Sequence, residues 1–131
     1  DLLRFSIILD HLDTFLSLSN HYLSDDREMV RRLGLFILFH LVSYEEHLDH
    51  IFKVISALDE EEAYYVIMMA VWLLCEVIIV HRKKAYAFLN DTKINPKIIN
   101  KAISKCRDSR RLTQEEKDDL LKFKIKRGRK A

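Results

Sequence analysis

Apolar side chains recur at helical spacing along almost the whole chain. In residues 2–22, 27–42 and 43–58 they follow one another at i, i+3, i+4 and i+7, which predicts amphipathic helices around a shared core. Residues 63–80, AYYVIMMAVWLLCEVIIV, are apolar nearly all round and predict a central helix buried between its neighbours. Further helices are predicted at residues 85–89, from Pro96 onward and at residues 114–123. The pattern therefore predicts an all-α protein.

The central segment also reaches the length of a short transmembrane span, so a membrane helix is the alternative. Glu76 lies near its middle, where a carboxylate is costly in lipid, and no other segment resembles a span. We therefore expect a helix inside a helical protein and no membrane partner.

Polar residues mark several predicted helix starts. Three pairs have the spacing of a capping box, in which two side chains satisfy each other's backbone N–H groups. The pairs are Asp25 with Glu28, Ser43 with Glu46, and Thr113 with Glu116. Asn95 before Pro96 predicts a fourth start, because proline suits the first helical position.

The predicted helices form pairs that repeat. Residues 30–36 align with residues 66–72 at an offset of 36, and Ala70 aligns with Ala102 at an offset of 32. Small residues, Gly34, Ala70 and Ala102, recur where the first helix of each pair is expected to pack closely on its neighbour. Periods of this length are typical of α-solenoids. We predict one domain over residues 1–131, an α-solenoid of stacked antiparallel helix pairs of the HEAT-like kind.

Composition excludes several other classes. Two glycines and one proline in 131 residues are too few for a turn-rich all-β fold. Cys75 and Cys106 lack metal-site spacing, which predicts a reduced, cytoplasmic setting. The chain has no glycine-rich phosphate loop and no nucleophile elbow. We accordingly expect no metal and no cofactor.

Charge is distributed unevenly. Residues 1–92 carry a net charge of −7 and residues 93–131 carry +9, which together give the overall +2. A basic C-terminal third predicts a phosphate-binding surface. The alternative is a solvated helix followed by a basic tail, and we expect residues 124–131, KIKRGRKA, to be frayed.

Three stretches of the chain carry a family resemblance: AYYVIMMAVWLLCEV at residues 63–77, AYAFLND at 85–91 and INKAISKCRDSRRLTQEEKDDLLKFK at 99–124. In order and spacing they resemble the C-terminal half of the DNA alkylation repair family, the HEAT-like-repeat glycosylases of the AlkD type. The resemblance covers about residues 27–126. Residues 13–17, DTFLS, are similar to the segment that holds the family's essential carboxylate. The chain has Leu9 where the family has tryptophan, and it lacks the family's N-terminal repeats, so we expect a fragment.

The resemblance implies a monomer that binds double-stranded DNA containing alkylated bases and excises cationic N3- or N7-alkylated purines. It implies that Asp13 is the catalytic carboxylate, stabilising an oxocarbenium-like transition state. Trp72 is implied to present its π-face to the cationic lesion. The candidate phosphate-binding residues are Arg31, Arg32, Lys101, Lys105, Arg107, Arg110 and Arg111. Because adjacent helix residues point in different directions, at most one of Arg31 and Arg32 is expected to face DNA.

Each candidate also has a purely structural interpretation. Asp13 can be a solvated helix residue, and Trp72 can be part of the core. The alternative function is a non-catalytic helical-repeat module that binds nucleic acid or a protein partner. The feature that separates the two hypotheses is whether Asp13 and Trp72 meet on one basic surface.

Overall fold

The computed structural model describes residues 10–90 and 93–125, and this part of the chain is helical without any β-strand. It contains α1 (Leu12–Leu23), α2 (Glu28–Phe39), α3 (Leu48–Ser56), α4 (Tyr64–Val80), α5 (Arg82–Leu89), α6 (Pro96–Arg107) and α7 (Gln114–Asp119). A 3-10 turn at Glu45–His47 leads into α3, and another at Leu120–Phe123 follows α7. The predicted all-α class is confirmed.

The helices lie in two rows. In the first row α2, α4 and α6 pack side by side with α4 in the centre, and α1 packs against α2. In the second row Phe52 of α3 stacks on Phe88 of α5 with ring centroids 4.4 Å apart. Tyr86 of α5 then meets Phe123 of the last 3-10 turn at 5.0 Å. The first helix of each predicted pair is in one row and the second helix in the other, which is consistent with a helical repeat.

The small residues lie at close contacts, as predicted. Gly34, Ala70 and Ala102 are buried, and Ala70 and Ala102 have no exposed surface. A Cβ atom at Gly34 would be 2.9 Å from the Leu23 side chain and 3.0 Å from the Ser19 carbonyl oxygen. The Ser19 hydroxyl donates a 2.8 Å hydrogen bond to the Gly34 carbonyl. Because Gly34 has no Cβ atom, α1 and α2 come close enough for the Ser19 hydroxyl to bond the backbone of α2 directly.

Two of the predicted helix starts are confirmed. The Asn95 side chain accepts a hydrogen bond from the Lys97 N–H at 3.0 Å, with Pro96 at the first helical position. The Asn95 amide also donates to the carbonyls of Leu58 and Glu61 at 3.0 and 3.1 Å, so this buried residue ties the start of α6 to the chain before α4. At α7 the capping box of Thr113 and Glu116 is complete.

The other two predicted capping boxes are wrong. Asp25 accepts hydrogen bonds from the backbone N–H and the guanidinium of Arg27, which hold the pKa of its carboxyl well below the usual value. Glu28 instead accepts the N–H of Tyr65, across from α2 to α4, at 2.7 Å. Ser43 makes no cap, since the chain first forms the 3-10 turn and α3 begins only at Leu48.

Several helix ends also differ from prediction. The helix predicted at 27–42 ends at Phe39, where the chain tightens into turns such as the 2.9 Å bond from the Leu41 N–H to the Leu38 carbonyl. The helix predicted at 43–58 ends at Ser56, and the one predicted at 85–89 begins earlier, at Arg82. The last predicted helix, 114–123, is α only to Asp119 and continues as a 3-10 turn. Residues 2–9 of the first predicted helix lie outside the described residues.

Candidate nucleic-acid interface

One stripe along α4 reaches the surface, although most of the helix between its exposed end residues Tyr64 and Val80 is buried. Tyr65, Met68, Trp72 and Glu76 follow one another at intervals of three and four residues, so they share one side of the helix. Tyr65 is 52% exposed and Trp72 is 44% exposed, whereas Leu73 and Leu74 beside them have no exposed surface. The interpretation of Trp72 as a core residue is therefore wrong. Aligned exposed aromatics on a central helix are an uncommon arrangement that points to a binding surface.

The helices on either side of this stripe add positive charge. On the α6 side, the Lys105 ammonium lies 5.5 Å from the centre of the Trp72 ring, within the range of a cation–π interaction. On the α2 side, Arg32 lines a hollow of about 220 Å³ together with Tyr65, Met68 and Trp72. Three helices thus contribute to one surface around the tryptophan.

A second hollow of about 650 Å³ adjoins the first, and both are lined by Met68. Its charged lining residues are Lys101, Lys105 and Lys124, with one carboxylate, Asp108. We call the combined surface the Trp72 face, and it consists of Arg32, Tyr65, Met68, Trp72, Lys101, Lys105 and Lys124. Arg32 lies on one side of its two aromatic rings, and the three lysines line the second hollow together with Asp108.

Lys124 reaches this face because the chain after the last 3-10 turn is docked. The Asn100 side chain accepts the Ile125 N–H at 2.8 Å and donates to the Ile125 carbonyl at 2.7 Å. The expectation of a frayed tail from residue 124 is wrong for Lys124 and Ile125, because the Lys124 N–H donates to the Leu121 carbonyl and Asn100 bonds the backbone of Ile125. Residues 126–131 of that expected tail lie outside the described residues.

The two adjacent arginines of α2 have different surroundings. Arg31 forms an ion pair with Glu61 at 2.9 Å and donates to the carbonyls of Asp26 and Asp25 at 2.9 and 3.2 Å. The side chains of Arg31 and Glu61 are only 19% and 13% exposed. Arg32 instead lines the Trp72 face. Only one of the pair is thus on that face, as the helical geometry predicted.

Glu61 is also tied to the start of α4. Its carboxylate accepts the Ala63 N–H at 3.0 Å in addition to the Arg31 guanidinium. Burial by itself raises the pKa of this carboxyl, but the Ala63 and Arg31 hydrogen bonds outweigh it and leave the pKa lowered. Glu61 is therefore ionised in the folded protein and links α2 to α4.

The arginine that ends α6 and the two in the loop after it also have different surroundings. Arg111 binds both oxygens of Glu76 at 2.9 and 3.1 Å, which joins the loop after α6 to the edge of the α4 stripe. Arg107 donates to the Lys117 carbonyl at 2.7 Å and to Asp118 at 3.3 Å. Arg110 is exposed. Of the predicted phosphate-binding residues, the structure brings Arg32, Lys101 and Lys105 together on the Trp72 face and directs Arg31, Arg107 and Arg111 into contacts within the protein.

Asp13 is placed elsewhere. It is exposed in the first turn of α1 and lines a hollow with Thr14, Ser17, Leu18 and His21. Phe15 and Leu16 of α1 pack against the core, and the hollow lined by Asp13 shares no lining residue with the hollow lined by Trp72. Asp13 and Trp72 therefore line different hollows.

Sequence reasoning missed Tyr65, Met68 and Lys124 as members of the face. The spacing of Tyr65, Met68 and Trp72 was available as a signal, since three and four residues separate them. Lys124 had no such signal, because its position depends on the contact between Asn100 and Ile125.

Comparison of the chain with protein-family models, with curated proteins and with solved structures gives no match. Within residues 10–90 and 93–125 no helix combines the length and the apolar character that crossing a bilayer requires. Over the same residues, no three His, Cys, Asp or Glu side chains are grouped as metal ligands would be.

Proposed function

We propose that this protein binds double-stranded DNA through the Trp72 face. The observation that carries the proposal is the exposed Trp72 ring with Lys105 beside it, in the middle of a surface contributed by three helices. The lysines and Arg32 are suited to phosphate oxygens, which supply affinity without reading sequence. The bases of an intact duplex cover each other's π-faces, so the Tyr65 and Trp72 rings would stack only on a base that has left the duplex stack.

The chain contains a single tryptophan, so Trp72 is its own reporter. We expect its fluorescence to be quenched when a short DNA duplex is added, because the ring lies within the contact surface. With about four cations on the face, log K should fall with log salt concentration at a slope of about −3.6. The measurement is a fluorescence titration at several salt concentrations, with anisotropy of labelled DNA as an independent readout.

The two readouts separate the outcomes. Anisotropy that rises while the tryptophan signal stays constant would mean that DNA binds at another surface, which contradicts the proposal. Absence of binding at low salt would contradict it too. An affinity that salt leaves unchanged argues against phosphate contacts and favours the protein-partner alternative.

Excision of alkylated purines is a second candidate function, and the accessible face of Trp72 favours it. Such a ring can attract a cationic alkylated base, as the family resemblance implies. In this hypothesis Asp13 is the carboxylate that stabilises positive charge developing on the sugar. Because Asp13 and Trp72 line different hollows, the hypothesis also requires the bound duplex to extend from one hollow to the other.

Release of N7-methylguanine and N3-methyladenine from methylated duplex DNA tests this second candidate. We expect release by the unaltered protein and a loss of at least about 100-fold in Asp13→Asn, because the carboxylate charge is removed while its shape is kept. Asp10→Asn is the matched control, since Asp10 is an exposed carboxylate three residues away. Equal rates in Asp13→Asn and the unaltered protein would exclude Asp13. If the protein binds DNA but releases no alkylated base, the excision hypothesis fails and DNA binding is the only proposed function that remains.

A further inference from the structure

The two cysteines of the chain meet in the core between α4 and α6. The Sγ atoms of Cys75 and Cys106 are 3.2 Å apart, and the Cys106 Sγ is also 3.7 Å from the Cys75 carbonyl oxygen. Both thiols are free. Cys106 has no exposed surface, whereas Cys75 is 8% exposed. Both residues are buried, and Cys75 is the nearer of the two to the surface.

We propose that Cys75 and Cys106 are an oxidation site, at which a peroxide-class oxidant joins α4 to α6 by a reversible disulfide. An S–S bond is about 2.0 Å long, so the two sulfurs need to approach by about 1.2 Å. A change of that size is within the reach of side-chain rotation and a small shift of two packed helices. The proposal does not depend on the DNA-binding function.

The surroundings assign different roles to the two sulfurs. The hydrogen bond from the Cys106 thiol lowers the pKa of Cys75 and outweighs the opposing effects of burial and of the Glu76 carboxylate. The charges of Lys105 and Arg111 lower this pKa further. The pKa of Cys106 is raised, by the same neighbouring sulfur and by burial. Cys75 is therefore the sulfur that ionises and reacts first, because the thiolate is the nucleophile.

The reaction balances in two steps. The Cys75 thiolate attacks one oxygen of hydrogen peroxide, the O–O bond breaks, and a sulfenic acid forms as hydroxide leaves and takes up a proton as water. The Cys106 thiol then attacks the Cys75 sulfur, the S–O bond breaks, and a second water leaves with the Cys106 proton. Two electrons pass from the thiols to the peroxide, and a dithiol reductant reverses the change.

The bond would act on α4 and α6, two of the three helices that contribute to the Trp72 face. Cys75 comes three residues after Trp72, and Cys106 directly follows Lys105. The cysteines are 31 positions apart, so the bond also closes a long loop in the unfolded chain. Oxidation should therefore stabilise the fold and fix the spacing between α4 and α6.

The test treats the folded protein with hydrogen peroxide in native buffer, followed by acid quenching and alkylation in denaturant. We expect a mass lower by two hydrogen atoms, a non-reduced digest containing a peptide that links Cys75 to Cys106, and a Tm higher by about 5 °C or more. Dithiothreitol should restore both thiols and the original Tm.

Cys75→Ser and Cys106→Ser should each show no rise in Tm on the same treatment, and Cys75→Ala and Cys106→Ala replace them if the serine variants do not fold. Sulfinic acid at Cys75 with Cys106 still alkylated would overturn the proposal. A disulfide between two chains would do the same, as would full alkylation of both cysteines after peroxide treatment of the folded unaltered protein.

Discussion

Replacing Arg31 by alanine is expected to cost about 2–4 kcal/mol of folding free energy, while the same change at Arg32 costs less than about 0.5 kcal/mol. Arg31 pairs with Glu61 where both side chains are mostly buried, and it also bonds the carbonyls of Asp25 and Asp26. Its loss leaves the Glu61 carboxylate without its cation and these carbonyls without a donor. Urea unfolding of the two variants and of the unaltered protein measures the difference.

The Arg31–Glu61 pair also predicts how stability depends on pH. The pKa of Glu61 in the folded protein is below its usual value of 4.5. A carboxyl with a lowered folded-state pKa stabilises the fold above its unfolded-state pKa, and the contribution is lost as pH falls through the folded-state value. The measurement is the free energy of unfolding at pH 7 and at several pH values below 4.5. Arg31→Ala should lose less stability than the unaltered protein as the pH falls. Equal pH profiles would contradict a role for the pair.

Arg32 is the matched control for Arg31 and also tests the Trp72 face. We expect Arg32→Ala to weaken DNA binding several-fold and to lower the salt slope by about 1, because one phosphate contact is removed. Its stability should stay close to that of the unaltered protein. Unchanged DNA affinity in Arg32→Ala would remove this residue from the interface.

Reversing two charges of the Trp72 face, in Lys101→Glu with Lys105→Glu, is expected to weaken DNA binding on the order of 100-fold at low salt. Two phosphate contacts disappear and two repulsive charges take their place, so the salt slope should fall by about 2. Both lysines are exposed, so the fold should tolerate the change. The measurement is anisotropy of labelled duplex DNA, with circular dichroism to compare the folds.

The control reverses the same amount of charge on the other row of helices, in Lys53→Glu with Lys83→Glu. These residues are exposed on α3 and α5. A general effect of net charge would weaken DNA binding equally in both double variants. Equal losses would therefore argue against a localised interface, whereas a loss confined to the Lys101 and Lys105 variant supports the Trp72 face.

Local signals in the sequence predicted the parts of the fold that depend on neighbouring residues. Helical periodicity identified the all-α class, and the starts at Asn95–Pro96 and Thr113–Glu116 formed as predicted. The same type of signal failed at Asp25, because the Arg27 guanidinium competes for its carboxylate. It failed at Ser43 because the chain forms a 3-10 turn before α3 begins. A capping motif in the sequence predicts a helix start reliably only where no other side chain binds its residues and no turn forms before the helix.

The sequence by itself determined the helical class, the central apolar helix and the basic C-terminal third, because each follows from periodicity, composition or charge. Tertiary structure alone decided which residues of different helices share a surface. An almost uniformly apolar α4 does not indicate which stripe stays exposed, and only the positions of α2 and α6 leave Trp72 accessible. Arg31 and Arg32 are adjacent and chemically alike. Glu61, just before the start of α4, forms an ion pair with Arg31, whereas Arg32 stays on the Trp72 face.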